Sequence, residues 1–185
     1  MSGHSDNESS IFKIALNLTI ACLVSGLIIS AVYYFTADAA ALKVIEARDE
    51  AMRGLVAQAD EFTELEGSEA FKAIKDGEVI AYIIPTENPG YEGTLHVLVA
   101  VATDCTVIDY QITAHKETPG LGDKAANEPF RKQFWGKTID KLVVVKDPSK
   151  TDNIMAMTGA TITSKAVTEA VKKALVEAEA IIGGE

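Results

Sequence analysis

The chain carries three different hydrophobic patterns along its length. Residues 14–35 contain no charged side chain. At about 1.5 Å per residue, this run is long enough to cross a hydrocarbon core of about 30 Å as one helix. Residues 39 to 60 are alanine-rich and charged, with apolar side chains at helical spacing. Beyond residue 69, short apolar runs alternate with turn residues, which predicts a compact domain over 69–185.

The apolar run near the N-terminus is interpreted as a retained transmembrane helix over 14–35. A cleaved signal peptide is the alternative, with residues 37–39 (ADA) as its small-residue site. A signal peptide has an apolar region of only about 7–15 residues, so the run is too long for one. Tyr33, Tyr34 and Phe35 close the run as an interfacial aromatic belt would. Polar residues 1–13 are predicted to be an N-terminal tail, and residues 36–68 a connecting helix.

The compact domain is predicted to be an antiparallel meander with flanking helices. Three apolar runs of strand type are followed by a shorter one; they are 77–84 (ended by Pro85), 94–101, 106–114 and 142–145. Turn signals stand at 88–90 and 103–105. Phe130, Phe134 and Trp135 are expected to pack a helix over 129–135 onto the sheet. With a final helix to Ile182, the fold class is α+β behind one transmembrane helix.

Composition narrows the possible partners. The formal net charge is −10, which argues against nucleic acid and against a polybasic membrane surface. Cys22 and Cys105 match no zinc or iron–sulfur spacing. The predicted domain has no strand–helix alternation and no G-x-G-x-x-G string, so a dinucleotide-binding unit is disfavoured. Neither a metal site nor a catalytic dyad or triad is expected.

The stretch 158–164 (TGATITS) is the first that carries chemistry. Four hydroxyl side chains and two small residues precede a proline-free helical run. A helix start offers unpaired N–H groups and the positive end of the dipole, and small residues let a ligand approach the backbone. This pattern predicts a phosphate-sized anion there, with Lys124 and Lys165 as candidate partners. An ordinary N-cap explains the same hydroxyls and remains open.

A second stretch, 117–122 (ETPGLG), predicts a rigid turn whose backbone can lie close to a flat ligand. Glu117 or Thr118 would supply a polar contact, and Leu121 an apolar one. A well-formed loop without a ligand is the alternative. Between the first two predicted strands, residues 90–93 (GYEG) form a hairpin connection in which Tyr91 packs as a lid.

These strings together resemble the covalent FMN-binding domain family. The string TGAT resembles the family's S/T-G-A-T motif, ETPGLG its second signature in the same order, and GYEG a third match. The family occurs in the G subunit of the Rnf electron-transport complex and in the C subunit of the sodium-pumping NADH:quinone reductase. The resemblance implies one covalent FMN, esterified through its phosphate to Thr161. The cofactor-binding residues expected from these motifs are Thr161, Thr158, Gly159, Ala160, Thr163, Ser164, Glu117, Thr118, Gly120, Leu121, Gly122 and Tyr91.

The resemblance also implies a function. The chain would relay electrons as the G subunit of a membrane-bound, ion-translocating, ferredoxin-linked Rnf complex, with the other subunits, membrane lipid and a flavin transferase as partners. The C subunit of the sodium pump, or an anchored binding or assembly module, are the alternatives. Relatives place the FMN domain on the extracytoplasmic side of the cell membrane. Lys43, Arg48 and Arg53 after the predicted span point the other way by the positive-inside rule.

Overall fold

The computed structural model describes residues 5–184. The chain divides into two units, Met1–Ala47 and Arg48–Glu185. Helix α1, Ser5–Leu55, begins inside the predicted tail and ends before the end of the predicted connecting helix. Residues 1–4 of the predicted tail lie outside the described residues.

Within α1, Ile11–Ala37 is long and apolar enough to span a membrane, and this segment contains the predicted span 14–35. Three of its hydroxyl groups are bonded inside the helix. Thr19, Ser25 and Thr36 each donate to the carbonyl four residues earlier, at 2.8–2.9 Å. Such bonds remove the cost of an unpaired hydroxyl in hydrocarbon.

Five antiparallel strands form one meander in the order β1-β2-β3-β4-β5. The bounds are Glu61–Glu64 (β1), Phe71–Lys75 (β2), Glu78–Pro89 (β3), Thr94–Ala102 (β4) and Val107–Ala114 (β5). The predicted α+β class and the meander are confirmed. Strands β1 and β2 were missed, because β1 is mostly polar and β2 is a run of only five residues that contains two lysines.

Strand β3 runs through Pro85, and the prediction that this residue ends the strand was wrong. Strand β2 pairs with β3 only up to Ile83, so β3 has a free side beyond that point. Pro85 pairs with Leu98 of β4. A proline is tolerated where its missing N–H faces a free edge. The turn between β3 and β4 therefore lies at 90–93, where the Gly90 N–H donates to the Gly93 carbonyl at 2.7 Å, and not at 88–90.

The sheet is covered on both faces within the unit Arg48–Glu185. Helix α3, Thr161–Ile182, buries an alanine- and valine-rich stripe against the side chains of Tyr82 and Ile84. On the other face, the end of α1 packs over Ala81 and Ile83. Because alternate residues enter different cores, β3 and β4 appear as nearly continuous apolar runs instead of alternating ones.

Short elements connect β5 to α3, with bounds Gly122–Ala126, Lys132–Phe134 and Ile139–Lys141 (3-10 helices), Glu128–Arg131 (α2), Val144–Val145 (β6) and Ile154–Met155 (β7). Strands β6 and β7 pair in parallel. Phe130 and Phe134 are buried as predicted, and Phe134 stacks edge-on against Tyr110 of β5 at 5.0 Å. Trp135 does not pack in the core: it is 45% exposed, with Lys132 5.6 Å from its ring.

Candidate functional site

Three loops meet at one end of the sheet and enclose a cleft of about 550 Å³. The 90–93 turn joins β3 to β4. The end of β5 pairs with the start of β4, so the loop after β5 begins beside that turn. Helix α3 packs along β3 and β4, which brings its first turn to the same end. The lining residues are Tyr91, Glu92, Glu117, Thr118, Leu121, Gly122, Gly159, Ala160, Thr161, Ile162 and Thr163.

The first turn of α3 has no side-chain cap. Ala160 occupies the N-cap position, and no side chain bonds to the free N–H groups there. The first N–H groups of a helix have no partner within it, so they are available to an anion. The hydroxyls of 158–164 therefore do not form the ordinary N-cap that the sequence left open.

The four hydroxyls of this stretch have different surroundings. Ser164 is fully buried; its hydroxyl donates to the Ala160 carbonyl at 2.9 Å and accepts the Met157 N–H at 3.0 Å. Thr163 is buried and donates to the Glu117 carboxylate. Thr158 is exposed and lies outside the lining. Thr161 is half-buried and lines the cleft, and its hydroxyl has no hydrogen-bond partner among residues 5–184.

Two glycines allow the backbone to turn into the cleft. Gly159 has φ +80° and Gly120 has φ +77°, a region that side chains with a Cβ rarely adopt. A Cβ on Gly159 would lie 3.1 Å from Cδ2 of Leu121, so the two predicted motifs pack against each other here. Gly120 does not line the cleft itself. Its positive φ allows the tight turn of the backbone just before Leu121, which does line the cleft.

Comparison with known proteins agrees with this geometry. Residues 90–176, which contain all three loops, match the FMN-binding domain. The chain is 49% identical over 180 residues to the G subunit of the proton-translocating ferredoxin:NAD(+) oxidoreductase complex of Clostridium ljungdahlii, covering 97% of each chain. It is 27% identical to the G subunit of the ion-translocating oxidoreductase complex of Methanosarcina acetivorans, covering 91% of this chain and 95% of that one.

The chain belongs to the family of Rnf G subunits. The crystal structure of NqrC from Shewanella oneidensis shares the fold, with a TM-score of 0.54 and 19% identity over 70% of this chain and 74% of that one. As an Rnf G subunit, the protein is a member of a multisubunit membrane complex and carries an FMN-binding domain.

The cleft of this G subunit also uses residues that sequence reasoning missed. Ile162 lines it and is 54% exposed, beside Tyr91 at 65% and Leu121 at 43%. Exposed apolar side chains that converge on one cleft indicate a binding surface. Glu92 accepts the Thr118 hydroxyl at 2.6 Å, which ties the 90–93 turn to the ETPGLG loop. The sequence signal that could have identified Ile162 as a lining residue is its position directly after Thr161.

The candidate cations do not line the cleft. Lys124 and Lys165 are exposed, and neither is among the lining residues. His115 is exposed as well, and its Nδ1 accepts the Glu117 N–H at 3.2 Å. The lining of the cleft therefore contains no lysine, and the groups there that could bind an anion are the backbone N–H groups at the start of α3.

Proposed function

We propose that this Rnf G subunit is an electron-relay protein whose single FMN is bound through a phosphoester to Thr161. The observation that carries the proposal is the state of the four hydroxyls at the start of α3. Thr163 and Ser164 are committed to other groups, and Thr158 lies outside the cleft. Thr161 alone of the four lines the cleft with its hydroxyl free.

The residues present fit the phosphate of such a cofactor. The uncapped start of α3 offers backbone N–H groups and the positive end of a helix of 22 residues. Gly159 and the short side chain of Ala160 leave the backbone accessible beside Thr161. A phosphodiester keeps about one negative charge, which this helix start stabilises.

The rim of the cleft fits a flat aromatic ring. Tyr91, Leu121 and Ile162 present apolar surface around it, while Thr118 and backbone groups supply polar atoms. FMN supplies the redox chemistry when bound, and the protein supplies position and electrostatics. The chain's own residues hold the cofactor at one end of the sheet. The covalent bond to Thr161 prevents the cofactor from dissociating.

We assign the covalent attachment of FMN to a separate flavin transferase that uses FAD as its donor. A threonine hydroxyl is a weak nucleophile without an adjacent base. No side chain among residues 5–184 is hydrogen-bonded to the Thr161 hydroxyl, so the chain offers no base for self-attachment. In the transfer, the Thr161 oxygen would bond to the phosphorus of the FMN half of FAD, AMP would leave with the electrons of the broken P–O bond, and the hydroxyl proton would pass to solvent.

The relative from C. ljungdahlii gives the reaction context, since its name describes a proton-translocating ferredoxin:NAD(+) oxidoreductase complex. We infer that this chain relays electrons in a complex of that kind, with the FMN domain on the extracytoplasmic side. With one candidate membrane helix among residues 5–184, the described chain does not form an ion path by itself. Its part in ion translocation then depends on the other subunits.

The proposal is tested by expressing Thr161→Ala and Thr158→Ala with a flavin transferase. After denaturing electrophoresis, we expect in-gel flavin fluorescence in the wild type and in Thr158→Ala, and a dark band for Thr161→Ala. Both changes remove one hydroxyl without a partner among the described residues, so stability should change by less than about 0.5 kcal/mol. A fluorescent Thr161→Ala band would place the attachment elsewhere.

A further inference from the structure

Glu117 is a buried carboxylate held without a cation. It is 5% exposed, and no lysine, arginine or histidine among residues 5–184 forms an ion pair with it. Its Oε1 accepts the backbone N–H of Tyr91 at 2.8 Å and that of Glu92 at 3.4 Å. Its Oε2 accepts the Thr163 hydroxyl at 2.5 Å. A buried charge is costly unless hydrogen bonds replace water, and here they come from two separate loops.

Two glycines make room for this carboxylate. A Cβ on Gly90 would lie 2.3 Å from Oε1, and a Cβ on Gly122 would lie 2.6 Å from Oε2. Each oxygen is therefore seated against a backbone that has no side chain. Thr163 is the third residue of α3, so the carboxylate also lies at the positive end of the helix dipole.

We propose that Glu117 is a positioning residue and not a contact of the flavin. Its carboxylate clamps the 90–93 turn, which carries Tyr91, to the first turn of α3, which carries Thr161. One oxygen is bonded to the turn and the other to the helix, so in this proposal Glu117 acts on the cofactor through the shape of the cleft. This role rests on the function proposed above, because the purpose of the clamp is to hold the cleft in which Thr161 is modified.

The clamp is tested first in flavin-free full-length protein in detergent, by amide hydrogen exchange over 88–95. Glu117→Ala removes both sets of hydrogen bonds, so exchange at Tyr91 and Glu92 should rise about tenfold or more. Glu117→Gln keeps an acceptor oxygen and should recover much of the protection. Wild-type exchange in Glu117→Ala would overturn the clamp.

A second pair of variants decides the question if Glu117→Ala does not fold. Thr163→Val removes only the hydroxyl that Glu117 accepts, and Thr168→Val is its matched control. Thr168 is also buried in α3, but its hydroxyl donates to the Ser164 carbonyl, away from Glu117. We expect faster exchange over 90–93 in Thr163→Val alone. Equal exchange in the two valine variants would overturn the proposal.

Flavin transfer then links the clamp to the site. With transferase and FAD added, the initial rate of covalent labelling should fall about tenfold in Glu117→Ala and be largely restored in Glu117→Gln. A full rate in Glu117→Ala, despite a loosened turn, would overturn the positioning role. Labelling of Thr161→Ala would instead overturn the attachment site, and the exchange measurements would still decide the clamp.

Discussion

At the residue scale, neighbouring hydroxyls at the start of α3 have separate tasks. Thr161 faces the cleft with a free hydroxyl, Thr163 bonds to Glu117, and Ser164 bonds to the turn before the helix. The residue pattern predicted an anion or an ordinary N-cap at this stretch without separating the hydroxyls, and only the family resemblance singled out Thr161. Their different roles depend on which side of the first helical turn each one occupies.

Ser164→Ala should damage stability more than flavin attachment. The change leaves the partly buried Met157 N–H without its acceptor and removes the buried Ser164 hydroxyl, so we expect a loss of about 1–3 kcal/mol of unfolding free energy by urea titration. Covalent flavin should still form, because the Thr161 hydroxyl is untouched. Unchanged stability together with lost flavin would show that Ser164 contacts the cofactor directly.

At the element scale, the short pieces between β5 and α3 are held to the sheet by Asp109 and Arg131. The carboxylate of Asp109, in β5, is largely buried and pairs through both oxygens with the Arg131 guanidinium at the end of α2. Tyr110, the residue after Asp109, makes two further contacts with these short elements. Its ring packs edge-on against Phe134, and its hydroxyl donates to the Ala125 carbonyl at 2.6 Å. Burial raises the pKa of Tyr110, which keeps it a donor.

Arg131→Ala should therefore destabilise the domain by about 3 kcal/mol, since it leaves a buried carboxylate unpaired. The matched control is Lys132→Ala, which breaks an exposed pair with Glu128 and should cost less than about 1 kcal/mol. Denaturant unfolding of the full chain in detergent measures both. Equal losses in the two variants would contradict the structural role of the Asp109–Arg131 pair.

The sequence predicted most of the sheet, because β4 and β5 are long apolar runs between clear turns. The sequence-based prediction failed at residues whose structure depends on contacts with distant parts of the chain. Pro85 looked like a strand end, but the free side of β3 tolerates it. Strand β1 was hidden by charges on the exposed edge of the sheet, β2 is a short run broken by Lys72 and Lys75, and Trp135 was expected inside. The two motif stretches were recognised from their hydroxyls, glycines and proline, yet only the structure shows that Glu117 bonds both to the 90–93 turn and to Thr163 of α3.

At the scale of the whole molecule, one question is which side of the membrane holds the domain. The cations after the predicted span favour the cytoplasm by counting. Two of them are engaged with the folded unit: Arg48 lies 4.7 Å from the Phe71 ring and Arg53 5.8 Å from the Phe62 ring. Cations that belong to a folded domain are weak topology signals, because domains translocate largely regardless of their charge.

We predict that the domain is extracytoplasmic. Lys150→Cys, placed in an exposed turn of a variant with Cys22→Ser and Cys105→Ser, should react with a membrane-impermeant maleimide in intact cells. Ser10→Cys in the same background should react only after lysis. The reverse pattern would put the domain in the cytoplasm.

The central claim is that Thr161 carries the cofactor, and fragmentation mass spectrometry of the tryptic peptide 151–165 tests it most directly. The chain should be purified from its native membranes, so that its own maturation machinery has acted. We predict a peptide heavier by one FMN less one water, with the added mass on Thr161. An unmodified peptide, or the added mass on Thr158 or Thr163, would contradict the account.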